Sequence, residues 1–372
     1  MANTETKDYV VSNGLDGVVV AETKLSDVDG EAGHLIIAGY DVEELAPVAT
    51  FEDAFGLLLH GALPDAAGRA RIQQDLAAAR EFAFASLQRV SNGLNVPSGM
   101  DALRGCLGQL SLDAESPESA HAKTAGALAV FAAAWNRVRT KHPLVPPNPK
   151  HSHAEDYLAM LTGTAPSAEQ TRGLDSYLVT VSDHGMNAST FTARVIASTG
   201  SDTVSAVVGA VGALKGPLHG GAPGPVLDML ESIGSPARAA SWLEAELQAG
   251  RRIMGMGHRI YRVRDPRAAV MEKAIGRLTG QGKTNDRLAL ARAVEHAAEG
   301  VLRTKYPNRP LHANVEFYTA VLLDSVNIPR EAFSPTFAVG RVLGWLAHVE
   351  EQRVTGRLIR PDSRFIGVHR TL

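Results

Sequence analysis

The chain has 372 residues, a formal net charge of -3 and 45 % apolar residues, enough for a sizeable buried core in one large domain or two smaller ones. No basic excess marks a nucleic-acid surface, so an anionic ligand has to be met by local arginines and the partner is expected to be small. A single cysteine, Cys106, excludes an intrachain disulfide and reads as a small buried thiol in a reducing compartment.

The amino-terminal stretch MANTETKDYV has no basic start and no apolar run, and its acidic residues argue against a transit peptide, so a cytoplasmic protein is expected. VVVAETKLSDVDG and HLIIAGYD alternate apolar and polar residues around Asp-Gly turns and predict a short β-hairpin. Beyond about residue 45 the chain is rich in Ala, Leu, Arg and Glu, which predicts an all-α architecture. Ala66 to Ala85 reads as an amphipathic helix. Pro117 to Thr140 reads as a more buried one, with Ser116 as its cap and proline in the first helical position. Pro143 to Pro149 breaks the pattern, and His151-Ser152-His153 reads as a surface loop rather than a metal site. Further helices are predicted at Ala188–Ser198, Asp202–Leu214, Ala237–Gln248, Arg267–Thr279, Asp286–Arg303, Glu316–Ser325 and Thr336–Gln352. The longest apolar runs, Thr124 to Trp135 and Val204 to Leu214, are shorter than the ~18 residues a membrane span needs. The segment from Gly276 to Thr284 ends like a phosphate-binding loop, but its spacing is one residue too long and a helix, not a strand, precedes it.

Chemistry concentrates in four segments. His184 lies in DHGMNASTFTARV, His219 in LKGPLHGGAPG, His258 in GMGHRIYRVRDPRA and Glu316 in NVEFYTA. Histidine exchanges protons near neutral pH, and neighbouring glycines let a ligand approach the backbone, so the set suits acid/base chemistry. Arg267, Arg341 and Arg360 offer planar forks for carboxylates. His348 and Glu351, on one helix face near Arg341, read as a satisfied polar stripe.

Together these segments resemble the citrate synthase family, from GLDGVVVAETKLSDVDG near residue 14 to RLIRPDSRFIG near residue 367, in the family's order and nearly its spacing. The resemblance implies a two-domain helical fold. A large domain would comprise 1–220 and 327–372 and form the dimer, and a small domain 221–326 would close over a cleft between the two. It implies condensation of acetyl-CoA with oxaloacetate and water to give citrate and CoA, without a further cofactor, metal or membrane. Glu316 would be the base, His219 the donor to the enol oxygen, and His258 the donor to the ketone oxygen. His184, His258, Arg267, Arg341 and Arg360 would hold oxaloacetate, with Arg360 supplied by the second subunit of a homodimer. Arg252, Gly255, Met256, Gly257 and Arg262 would meet CoA, and Asn187 and Ser189 would orient His219.

This chain departs from the family pattern at its chemical centre. Glu316 stands where aspartate is usual, Ala313 where proline is common, Thr319-Ala320 where Ser-Gly is usual, and Ala38 where arginine often precedes Gly-Tyr-Asp. Two further readings follow: the same chemistry on propionyl-CoA giving 2-methylcitrate, and a CoA- or dicarboxylate-binding protein without turnover.

Overall fold

The structure, a computed structural model, describes residues 11–370 apart from 16, 220–222, 259, 279–282 and 310, with the backbone alone at 283–285. The expected domain boundary at 220/221 and most of the loop that imitates a phosphate-binding motif lie outside the described residues. In chain order the elements are β1 (Ser26–Asp29), β2 (His34–Ile37), β3 (Tyr40–Asp41), α1 (Val42–Leu45), α2 (Phe51–His60), α3 (Ala66–Leu94), α4 (Gly99–Leu107), α5 (Pro117–Arg139), α6 (His153–Thr162), α7 (Ala168–Thr180) and α8 (Ala188–Ala197). There follow α9 (Thr203–Leu214), α10 (Gly224–Ile233), α11 (Ala239–Gln248), α12 (Pro266–Arg277), α13 (Lys283–Lys305), α14 (Val315–Ser325) and α15 (Phe333–Thr355).

Many of the helices begin where side-chain oxygens satisfy free backbone N–H groups. Ser116 caps α5 by accepting from Ser119 N, and Asp202 caps α9 by accepting from Ser205 N. Full capping boxes start α2 (Thr50 with Asp53) and α7 (Ser167 with Gln170). One expectation is corrected at these starts. His151-Ser152-His153 is no surface loop: Ser152 caps α6, and His153 is fully buried, stacked on Phe51 with ring centroids 4.1 Å apart. The predicted hairpin is present as β1 and β2, and β3 extends it to a three-stranded antiparallel sheet of order β1-β2-β3, with Ser26 opposite Ile37 and Ile37 opposite Tyr40. Its first strand begins at Ser26; among the described residues no strand runs opposite Val18–Val20, and Val19 stays 86 % exposed.

α5 is the hub of the core. Its run of alanines around Gly126 is buried, and a Cβ on Gly126 would lie 2.9 Å from the Ala79 backbone, so α3 can approach it closely. Cys106, on α4, is fully buried, with its Sγ 3.7 Å from the Val90 carbonyl; burial pushes its thiol up to about 11. α12 packs on α14, and both rest on α7, so the later helices reach the α15 side of the molecule. Among the described residues no helix is long and apolar enough to cross a membrane.

α15 carries the contact that matters most for the site. Gly340 and Gly344 lie one turn apart, and Gly344 N–H donates to Ser182 O at 3.0 Å. A Cβ on Gly344 would sit 2.3 Å from that same oxygen and 2.5 Å from Asp183 Oδ1. Gly344→Ala is therefore expected to cost ~1–3 kcal/mol by overpacking, read as a lower urea midpoint with unchanged m-value.

Candidate active site

The turn after α7 is pinned before it reaches His184. Arg341 Nε donates to Val181 O, and Gly185 takes φ +59 so that the chain can reverse. Asn187 then caps α8, its Oδ1 accepting from Ser189 N and Thr190 N, both at 3.1 Å. His184 is buried with Nε2 3.1 Å from Tyr261 Oη. Burial, with the Arg267 and Arg341 cations nearby, holds its imidazole well below the usual range and therefore neutral.

His219 has a fixed tautomer. Its Nε2 lies 3.2 Å from Ser189 N and 2.8 Å from Ser189 Oγ. A backbone N–H can only donate, so Nε2 accepts and the proton sits on Nδ1. Ser189 is itself held, with Trp345 Nε1 donating to its Oγ at 3.0 Å and Asn187 Oδ1 2.8 Å away. Burial pushes His219 down to about 4, with Arg341 adding to the shift.

His258 is fixed with the opposite tautomer. Its Nδ1 accepts from Ile260 N and Tyr261 N, both at 3.1 Å, so the proton is on Nε2. That Nε2 faces Arg267 Nη2 at 3.3 Å. Two donors meet there, an arrangement that a shared anionic oxygen would relieve. Burial, then Arg267, pushes His258 down to about 4 against the opposing pull of Asp265.

Asp265 organises this side. It grips Arg267 through Nε at 2.9 Å and Nη2 at 2.7 Å, and caps α12 through Arg267 N. Its Oδ2 also accepts from Val315 N at 3.1 Å, which ties the first turn of α14 to the same carboxylate. Glu316 follows as the second residue of α14, its N–H capped by Asn314 Oδ1 at 3.0 Å. Asn314 is in turn bound to Gly255 O through its N–H and to Gly257 O through Nδ2, both at 2.9 Å. Gly255, at φ +73, packs where a Cβ would be 2.9 Å from Phe317 Cβ, so the 252–257 loop lies flat against α14. Burial pushes the Glu316 carboxyl up to about 7, although Arg267 and Arg252 pull the other way.

One cleft of about 830 Å³ gathers these groups. Of the residues expected from sequence, it is lined by His184, Asn187, His219, Arg252, Gly255, Met256, Gly257, His258, Arg267, Glu316 and Arg341. Ser189 stands behind His219. Two expected residues are not brought to it. Arg262 is 56 % exposed in its side chain, 3.9 Å from Glu31 at the β1–β2 turn. Arg360 is exposed on the segment after α15. His348 and Glu351 share one face of α15, three residues apart, and are satisfied as expected: Arg194 Nη1 donates to His348 Nδ1 at 2.9 Å and to Glu351 at 2.6 Å, with Asp183 3.3 Å from His348 Nε2. Sequence reasoning missed Asp265 and Tyr261 as site residues. Only the first had a local signal, an Asp-Pro pair at a helix start.

Comparison with known proteins points to one family. A family model described as citrate synthase, C-terminal domain, matches residues 14–362. A citrate synthase of Haloferax volcanii is 38 % identical over 375 residues, covering 96 % of each chain. One of Deinococcus radiodurans is 37 % identical over 369 residues, again covering 96 % of each. A solved ternary complex of carboxymethyl coenzyme A and oxaloacetate with the citrate synthase of Thermoplasma acidophilum superposes with a TM-score of 0.85 at 25 % identity, covering 98 % of both chains.

With both rings held near a value of about 4, the Cε1–H resonances of His219 and His258 are expected not to titrate between about pH 5.5 and 8, where a free histidine moves through its full range. Two-dimensional proton–carbon spectra of the histidine-labelled protein measure this. A midpoint near 6.5 for either ring would contradict the burial described above.

Proposed function

The chain belongs to the citrate synthase family, and we propose that its cleft joins the methyl carbon of acetyl-CoA to the ketone carbon of oxaloacetate, after which water cleaves the thioester to yield citrate and CoA. The observation that carries this reading is one carboxyl group and two neutral imidazoles of fixed tautomer lining the same cleft. Proton removal beside a thioester needs a base, and the oxygen that gains charge needs a donor.

Glu316 supplies the base. Its carboxylate takes a methyl proton, and the electron pair moves toward the thioester oxygen, which receives a hydrogen bond from His219 Nδ1–H. The resulting enol carbon attacks the ketone carbon of oxaloacetate, and His258 Nε2–H supports the alkoxide that forms there. Both donors are neutral because burial disfavours the imidazolium, and each still carries one N–H aimed by the bond to its other nitrogen. Arg267, Arg341 and His184 hold the oxaloacetate carboxylates. The fork of Arg341 is fully buried and pulled down to about 10, which an incoming anion would reverse.

CoA lies along Arg252 and the Gly255–Gly257 loop, all of which line the cleft. The exposed position of Arg262 gives no support to a phosphate contact in this arrangement. Arg360 serves a neighbouring subunit in a homodimer, which its exposure on the carboxy-terminal segment supports. The segment 221–326 acts as the small domain, closing over oxaloacetate before the thioester is deprotonated. Glutamate in place of aspartate moves the carboxylate by about 1.5 Å, one carbon–carbon bond, so the start of α14 has to sit correspondingly further back.

Glu316→Gln is expected to lower thiol release by about 10³-fold or more while leaving oxaloacetate affinity within about twofold, since shape is kept and the base removed. Steady-state kinetics with calorimetric binding of oxaloacetate decide this, and retained turnover would move the base elsewhere. The pH profile has a definite sign: only the ionised carboxyl accepts the proton, so kcat/KM for acetyl-CoA rises with pH through about 7 and levels off above it. Acyl preference is read by comparing kcat/KM for acetyl-CoA and propionyl-CoA, with acetyl-CoA expected to be favoured. A larger value for propionyl-CoA would make the product 2-methylcitrate.

A further inference from the structure

We propose that the β1–β2 hairpin is a latch for the oxaloacetate site: its tip seats the backbone of the His258 loop while its base holds the His184 turn, bringing the two histidines to working distance. The inference rests on the reading that oxaloacetate binds between them.

The tip is rigid. Asp29 Oδ1 accepts from Glu31 N at 3.0 Å and Ala32 N at 2.8 Å, and Gly33 N–H returns to Asp29 O at 2.9 Å. Against this turn lies the His258 loop, with Arg262 N–H donating to Gly30 O at 2.8 Å. A Cβ on Gly30 would come 2.5 Å from Ile260 O and 2.9 Å from its carbonyl carbon, and one on Gly33 would come 2.5 Å from Val263 Cγ2. Gly33 has φ +74 and needs glycine for that reason alone. Gly30 does not lie in the left-handed region, so what requires glycine there is the approach of the Ile260 carbonyl.

The contact reaches the chemistry in one step. His258 Nδ1 is held by the N–H groups of Ile260 and Tyr261, so whatever fixes the 260–262 backbone fixes the imidazole. At the hairpin base, Ser26 Oγ donates to Asp183 Oδ2 at 2.6 Å and accepts from Gly185 N at 2.8 Å, bracketing His184 on both sides. Just before it, Thr23 Oγ1 and Lys24 N donate to Glu351 on α15 at 3.2 and 3.0 Å. Between tip and base, the rings of His184 and His258 stand 5.9 Å apart, with Tyr261 Oη bonded to His184. Residues 260–264 belong to the segment proposed to close and the hairpin to the part that stays. The seat is thus a contact across the closing surface. Such a contact raises the fraction of molecules in the binding-competent arrangement, and apparent affinity scales with that fraction.

Gly30→Ala in the full-length protein tests this. The oxaloacetate KM is expected to rise by about tenfold, with kcat at saturating oxaloacetate within about twofold of the parent, because excess ligand restores the competent fraction. A folded variant with parental KM, or one that loses kcat at parental KM, overturns the latch. Should Gly30→Ala not fold, Ser26→Ala is expected to raise the oxaloacetate KM and Ser26→Thr to bring it back; no change in the first, or no rescue in the second, overturns it equally. Oxaloacetate Kd by calorimetry is measured on the same proteins. A parent without CoA release would sink the proposed reaction, whereas an active parent whose Gly30→Ala variant is indistinguishable from it in KM and Kd sinks the latch alone.

Discussion

Asp265 is the carboxylate on which the site depends. It is buried to 1 % exposure, and a buried charge without partners would be strongly destabilising. Its two oxygens are instead shared among the Arg267 guanidinium, the first N–H of α12 and the first N–H of α14. Asp265 and Val315 are 50 residues of sequence apart, yet this one anion sets the start of both α12 and α14. Removing it would release Arg267 and the start of the helix that carries Glu316 together.

Burial then assigns the protonation states. The same loss of water that pushes His219 and His258 down to about 4 pushes Glu316 up to about 7, because desolvation disfavours whichever form carries charge. Two neutral imidazoles and a carboxyl that holds its proton more readily than usual thus arise from one dry environment. Arg341 bears the cost of that environment: fully buried, it keeps its charge less firmly than an exposed arginine, whereas Asp265 holds the Arg267 guanidinium above its ordinary value. An anion entering the cleft would be held both by the hydrogen bonds it makes and by the relief of two crowded cations.

Much of this was legible in the chain. The capped, proline-initiated α5 and the Asp202-capped α9 start where the local signals put them, because capping is a short-range interaction. α2, α6 and α7 went unpredicted although Thr50/Asp53 and Ser167/Gln170 form capping boxes and Ser152 is a cap, since their apolar faces are short or interrupted. Site residues in glycine-rich turns could be named from the family resemblance, and most of them line the cleft. What could not be read was the support: Ser26, Asp183, Arg194 and His348 meet across more than 150 residues of sequence, and no local pattern announces a contact of that range. His153 was misread for the same reason, its burial being decided by Phe51 and Arg80 from distant helices.

Cys106 has a practical consequence. Attack on electrophilic or disulfide reagents needs a thiolate within reach of solvent, and this sulfur is sealed between α3 and α4 with its ionisation deferred to about 11. No other cysteine exists in the chain. The folded protein is therefore silent toward sulfhydryl dyes, so that colour developing in a mixture containing it counts liberated coenzyme and nothing from the catalyst itself.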